Sequence, residues 1–274
     1  QKTSQSFLGL IKGRSLYYHK IGTRQAEDSL IYKPENEYGD FSFEVTPEKH
    51  FLIIYYTKAT GEQRGNYVAQ LQLPLTHASK LRDFIKSRKS NLYFNVLGEV
   101  DNKLLVETNQ NAPNGAILTY NPNILNLSEA FIPQYKQMLE YSKLIGNKII
   151  RVYSDNKRTT IKISDQRGND LSTWQIPEGY RISGFSGSNN DSIALYHFNS
   201  FFSPTSDYKI NLNTLKREPL GETVVNFNTT DLTTEKVYYH SADSTLIPMY
   251  ITHRKDMELN GKNPTILYGY GGFG

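Results

Sequence analysis

The 274 residues contain no cysteine. This excludes disulfides, thiolate metal centres and a cysteine nucleophile from the stretch, and it suits a reducing cytoplasm or a bacterial periplasm equally. Long apolar runs are also missing. Segments such as Phe51–Tyr56 fall far short of the roughly 20 residues a membrane-spanning helix needs, so no membrane partner is expected. Residues 1–6 are polar and carry no signal-peptide pattern. No charge of one sign dominates: 31 basic and 27 acidic residues leave a net charge of +4, mixed along the chain. The densest basic run, Arg82–Lys89, reads as a solvated loop, and no nucleic-acid-binding motif accompanies it. Helical periodicity is scarce. Its best instance, Ile124–Ile145, is interrupted by Pro133.

Catalytic signatures are thin. A serine nucleophile elbow requires Gly-x-Ser-x-Gly; the nearest text, Gly184-Phe-Ser-Gly-Ser188, fails at its fifth position and reads as a strand-end turn. The six histidines, at 19, 50, 77, 197, 240 and 253, show no His-x-x-x-His or other metal-ligand spacing. No metal or cofactor is expected. Asn126-Leu-Ser, Asn190-Asp-Ser and Asn228-Thr-Thr are glycosylation sequons of a kind that arises often by chance.

What the chain does have is β-forming sequence. It is 38% hydrophobic with 20 tyrosines, too apolar for disorder, and its length allows one large or two ordinary domains. Four segments share the order strand, tight turn, strand, loop, strand. The first comprises Phe43–Val45, Phe51–Tyr56 and Tyr67–Leu73; the second Leu92–Leu97, Lys103–Glu107 and Gly115–Tyr120. The third comprises Leu139–Ile145, Lys148–Tyr153 and Thr159–Asp165; the fourth Arg181–Ser186, Ser192–Phe198 and Asp207–Leu212. Their middle strands recur roughly every 45–53 residues, the period of a four-stranded propeller blade. Ser15–Lys20 with Asp28–Lys33 reads as the outer part of an earlier blade. A β-sandwich or solenoid is the alternative, but sandwiches place turns every 8–12 residues without such a super-period.

The pattern changes after Gly221. Lys236–His240 and Leu246–His253, joined by Ser-Ala-Asp-Ser-Thr, read as a hairpin. Met257–Asn263 is a polar loop. Thr265–Tyr268 is apolar and β-rich, which suits a strand buried on both faces, and glycines follow at 269, 271 and 272. A domain boundary is expected near Gly221–Phe227.

Several of these stretches resemble the prolyl oligopeptidase (prolyl endopeptidase) family of serine peptidases. They are Leu16-Tyr-Tyr-His-Lys-Ile-Gly-Thr-Arg-Gln-Ala-Glu-Asp28, Tyr196-His-Phe-Asn-Ser-Phe-Phe-Ser-Pro204, Ile247-Pro-Met-Tyr-Ile-Thr-His-Arg-Lys255 and, most specifically, Tyr268-Gly-Tyr-Gly-Gly-Phe273. The likeness runs through the whole chain and is weakest over about 70–136. It implies a seven-bladed propeller capping an α/β-hydrolase domain. Residues 1–222 would be part of the propeller, about four to five blades of an incomplete ring, and 223–274 the first strands of the catalytic domain. The chain would begin inside the third blade and stop before the Ser, Asp and His of the triad.

The resemblance also implies roles. Tyr270 matches the family's oxyanion donor; a phenol is a neutral donor at pH 7, and flanking glycines let the backbone bend around it. Phe273 matches the apolar wall beside the proline pocket, where a ring with little to hydrogen-bond is recognised by apolar fit. The family's propeller contributes an Arg and a Cys to the site; the equivalent stretch, Tyr56–Thr60, has neither. The implied activity is cleavage of short peptides on the carboxyl side of proline, with the propeller gating access, in a monomeric parent enzyme without cofactor. The 274 residues alone, paired with no remainder of their catalytic domain, would be inactive and prone to associate through exposed blade edges and through Ile266–Tyr268. The alternative from another functional class is a stand-alone propeller serving as a binding scaffold.

Overall fold

A computed structural model describes residues 13–269, apart from 37–38, 61–62, 76–78, 88–90, 125, 156–157, 177–178, 204 and 222–224. The regular structure of the described residues is almost entirely strand, in successive antiparallel meanders. Strands β1 (Leu16–Tyr18) and β2 (Ser29–Tyr32) form a two-stranded sheet. Blade I follows with β3 (Phe41–Val45), β4 (Phe51–Thr60), β5 (Gln63–Gln72) and β6 (Arg82–Ser87). Blade II holds β7 (Phe94–Val100), β8 (Lys103–Thr108), β9 (Ala116–Asn121) and β10 (Asn126–Ile132). Blade III holds β11 (Met138–Ile145), β12 (Lys148–Ser154), β13 (Thr159–Ser164) and β14 (Asp170–Gln175). Blade IV holds β15 (Tyr180–Ser186), β16 (Ile193–Ser200), β17 (Ser206–Asn211) and β18 (Arg217–Pro219). A separate hairpin, β19 (Leu232–His240) with β20 (Leu246–Arg254), ends the described strands.

The continuous apolar middle strands follow from this stacking. A strand inside a pile of sheets has no solvent face, so both of its alternating sides must be apolar. On β4, Leu52 and Ile54 pack with Ile31 and Tyr32 of the first sheet, while Ile53 faces Leu104 and Val106 of blade II. On β8 the intervening Leu105 turns to Ile149 of blade III, and on β12 Ile150 and Val152 turn to Ala194 and Tyr196 of blade IV. The series ends at β16, where Ile193 and Leu195 are 42% and 38% exposed.

Turn chemistry sets the register. Asp101-Asn102 and Gly146-Asn147 are two-residue turns with positive φ at both positions, +50° and +61° in the first and +55° and +58° in the second. This geometry matches strand twist and favours Asn, Asp and Gly. At the same end of the stack Glu48 accepts a 2.7 Å hydrogen bond from Asn189, tying blade I to blade IV. Asn189 Oδ1 in turn accepts from the Asn147 amide at 3.0 Å. Beside them lies a cavity of about 220 Å³ between the first strands of the four blades.

Four readings of the sequence need correction. The described residues within 124–145 hold no helix: β10 and β11 occupy most of them, β11 with a bulge between Leu139 and Tyr141, and Pro133 falls in the gap between the two strands. The basic run is not a loop over 82–87 but the outer strand β6; Arg82 and Lys86 face water, Asp83 is half-buried against Tyr56, and Ile85 is buried. The run 264–269 forms no strand, while Ile266, Leu267 and Tyr268 are 96%, 86% and 84% exposed, as expected for the 274 residues taken alone. A strand exists through its ladder, and no described strand pairs with this run. Each blade also has a fourth strand that the three-strand reading omitted; these outer strands are short or polar and lack the apolar signature.

Candidate functional site

Every blade is an up-and-down meander, so the starts of its first strand and the turn between its second and third strands lie on one face. Two features of that face position functional side chains. The first is a cleft of about 330 Å³ between blades I and II. Phe41, Tyr55, Tyr56, Tyr67, Tyr93 and Phe94 line it, with Asp40 and Asn66 among its polar residues. Tyr56 and Tyr67 stack at 5.5 Å with an interplanar angle of 20°.

The phenols of the cleft are engaged. Tyr55 donates to Glu44 and accepts from the Val96 amide at 2.9 Å, which joins blade I to blade II. Tyr56 donates to Asp83. Burial pushes the Tyr55, Tyr56 and Tyr93 hydroxyls up from their ordinary range, and the neighbouring carboxylates Glu44, Asp83 and Glu107 add to the rise. Tyr32, beneath Tyr56, is pushed up to about 12, chiefly by burial. At neutral pH these groups are protonated, and the protons of Tyr55, Tyr56 and Tyr93 are committed to those carboxylates, so the cleft presents chiefly ring faces and edges. Such a surface recognises rings and apolar side chains; it supplies no base or nucleophile.

The second feature is the seating of the β19–β20 hairpin on blade IV. Arg181, near the start of β15, donates to the Tyr250 hydroxyl at 3.0 Å, and Phe201 packs 5.2 Å from the Tyr250 ring. Gly179, with φ +82°, would place a Cβ 3.3 Å from the Phe202 ring and 3.9 Å from Thr234. From this hairpin the chain continues through 255–263 to the exposed run 264–269.

Tyr270 and Phe273 lie outside the described residues. The structure therefore places the strands leading to them and not the two side chains. Gly184–Ser188 is the end of β15 and its turn: a Cβ on Gly187 would lie 2.7 Å from Ile145, so the turn is pressed onto blade III. That is a packing role, in keeping with a strand-end turn. Tyr56–Thr60 is the end of β4. Among the described residues no cluster of His, Asp and Glu could hold a metal ion. Sequence reasoning missed the aromatic cleft. Its signal was an aromatic residue opening a blade's first strand, at Phe41, Phe94 and Tyr180.

Comparison with known proteins agrees with the blade repeat. Residues 3–223 match the family model described as prolyl oligopeptidase, N-terminal beta-propeller domain. A prolyl endopeptidase of Elizabethkingia meningoseptica is 29% identical over 274 residues, covering 97% of this chain and 37% of the relative. Prolyl oligopeptidase A of Galerina marginata is 29% identical over 270 residues, covering 94% and 36%. The chain thus spans little more than a third of the length of these curated relatives. Among solved structures, prolyl oligopeptidase B of Galerina marginata bound to a 35mer hydrolysis and macrocyclization substrate superposes with a TM-score of 0.78 at 21% identity, covering 98% of this chain and 38% of that one. The apo form of that protein gives 0.70 at 20% identity, covering 91% and 36%. On the family match, this chain belongs to the prolyl oligopeptidase family, with residues 3–223 in its N-terminal β-propeller domain.

Proposed function

We propose that the protein carrying this chain is a serine endopeptidase that cleaves short peptides on the carboxyl side of proline. In this reading the propeller restricts access to the site. The observation that carries the proposal is the hairpin seated on blade IV, leading to the run Tyr268-Gly-Tyr-Gly-Gly-Phe273. Tyr270 is assigned the oxyanion donor and Phe273 the apolar wall beside the proline ring. Peptide hydrolysis also needs a nucleophile and a base within reach. No nucleophile elbow occurs in the 274 residues, so those groups must come from elsewhere in the protein.

The division at residues 1–222 and 223–274 is part of the same proposal. It is supported by the end of the blade ladders at Pro219 and by a hairpin that shares no ladder with a blade among the described residues. A stand-alone scaffold would have no use for that hairpin or the glycine-rich run. Peptides containing proline are the expected ligands of the aromatic face, since a pyrrolidine ring is recognised by stacking and apolar fit.

The test uses a fluorogenic peptide with proline before the scissile bond. The full-length protein should cleave it, lose that activity to a serine-directed fluorophosphonate, and leave the alanine analogue intact. The 274 residues expressed alone should not cleave it. Cleavage that ignores proline, or cleavage by the 274 residues alone, would overturn the assignment.

A further inference from the structure

Among the described residues the β19–β20 hairpin shares no backbone ladder with any blade. Its placement depends on side chains, and these converge on Tyr250. Arg181 Nη2 donates to the Tyr250 hydroxyl at 3.0 Å, across 69 residues of sequence, and its guanidinium carbon is 5.4 Å from the ring centroid. Phe201, in the turn between β16 and β17, lies 5.2 Å from the same ring at 35°. Lys236, directly opposite Tyr250 in the hairpin, brings its ammonium within 5.7 Å of it. One phenol is thus held by a hydrogen bond from blade IV, an aromatic contact from blade IV and a cation of its own hairpin.

This arrangement is directional. A guanidinium is planar and can bond a hydroxyl in its plane while lying close to the ring; an ammonium offers a point charge without that fork. The contact therefore fixes rotation of the hairpin about its long axis as well as its distance from the blade. Nearby, a Cβ on Gly179 would touch the Phe202 ring at 3.3 Å and Thr234 of β19 at 3.9 Å, so blade IV and the hairpin are in contact here too. A ring at position 250 that lost Arg181 would keep its hairpin pairing and lose its orientation.

We propose that Tyr250 is a positioning residue, through which Arg181 and Phe201 of blade IV set the orientation of the hairpin and of the segment 255–269 that leads to Tyr270. The catalytic consequence rests on the peptidase reading above; the contact itself does not. Hydrogen exchange on the full-length protein separates the two. Tyr250→Ala and Arg181→Ala should raise exchange across β19 and β20 by about tenfold, while β8 and β12 keep their protection. Tyr250→Phe should give a smaller rise, and Arg181→Lys should restore part of the protection lost in Arg181→Ala. Unchanged exchange in the hairpin of Tyr250→Ala, or an equal rise in β8 and β12, would overturn the proposal. In the same variants, kcat on a proline peptide should fall at least about fivefold with KM held within about twofold. A change in KM alone would overturn the positioning role. A full-length protein without proline-directed activity would remove the peptidase reading, and the exchange result would still decide the contact.

Discussion

Ser142 on β11 donates a hydrogen bond to the buried carboxylate of Glu107 on β8, so a polar bond crosses the seam between blades II and III. The surrounding seam is apolar, built from Leu105, Ile117, Leu144 and Ile149. Burial raises the Glu107 pKa above the ordinary carboxylate value, against the opposing pull of Ser142 and of Tyr93.

The sign of the pH effect follows from that shift. A carboxyl whose folded pKa is raised contributes most stability when protonated, below its unfolded value of 4.5, and loses it as pH rises through the folded pKa. Glu107→Gln should therefore flatten the decline in stability above about pH 4.5. Ser142→Ala removes a donor from a buried acceptor and should cost about 1–3 kcal/mol at pH 7. Urea unfolding at pH 4.5 and pH 7 checks both. A Glu107→Gln protein whose stability falls with pH as steeply as the wild type would show that this carboxyl is not the source.

Gly146 offers a backbone test of the blade stacking. Its φ is +55°, and a Cβ there would sit 2.2 Å from the Asp191 carbonyl oxygen of blade IV. Backbone cannot yield as a flexible side chain can, so Gly146→Ala should cost at least about 2 kcal/mol. Gly22 also has positive φ, +92°, but nothing lies within 4 Å of its Cβ position. Gly22→Ala carries only the conformational penalty, partly offset by the stiffer unfolded chain, and should stay within about 1 kcal/mol of wild type. Equal losses in the two urea midpoints would mean that close approach to blade IV plays no part.

The cleft between blades I and II makes a separate prediction about peptide length. Tyr67 is half-buried and stacked on Tyr56, which places its ring in the cleft wall. In the full-length protein Tyr67→Ala should raise KM about three- to tenfold for peptides long enough to reach the propeller, the worth of a lost aromatic contact. A two-residue chromogenic substrate should be unaffected. The comparison is of kcat/KM on a length series, and an equal loss at every length would exclude the cleft as an extended subsite.

How much of this was legible in the sequence depended on which forces leave a local pattern. The middle strands were legible because stacking demands apolar residues on both sides, as at Leu104, Leu105 and Val106. The two-residue turns were legible because positive φ selects Asn, Asp and Gly. Arg151 was not: it is 3% exposed at the centre of β12, held by Ser164 of the adjacent β13 and Asp170 of β14 beyond it, and nothing near it in sequence announces those partners. The contact between Arg181 and Tyr250 was hidden for the same reason, since 69 residues separate the pair. Thr265–Tyr268 misled in the opposite direction: its composition suits a buried strand, but pairing makes a strand, and composition does not report the partner.

Tyr270 carries the most direct prediction about chemistry. Acyl transfer builds negative charge on the carbonyl oxygen only as the tetrahedral intermediate forms, so a donor aimed at that oxygen acts mainly on the transition state. A phenol with an ordinary pKa near 10 remains a donor throughout the neutral range. Tyr270→Phe keeps the ring and removes only the proton that would be shared. In the full-length protein turnover should then fall by about 10²–10³, with KM nearly unchanged. Steady-state kinetics on a proline peptide at neutral pH measures both. A large rise in KM with turnover intact would instead make Tyr270 a ground-state contact, and unchanged kinetics would remove it from the site.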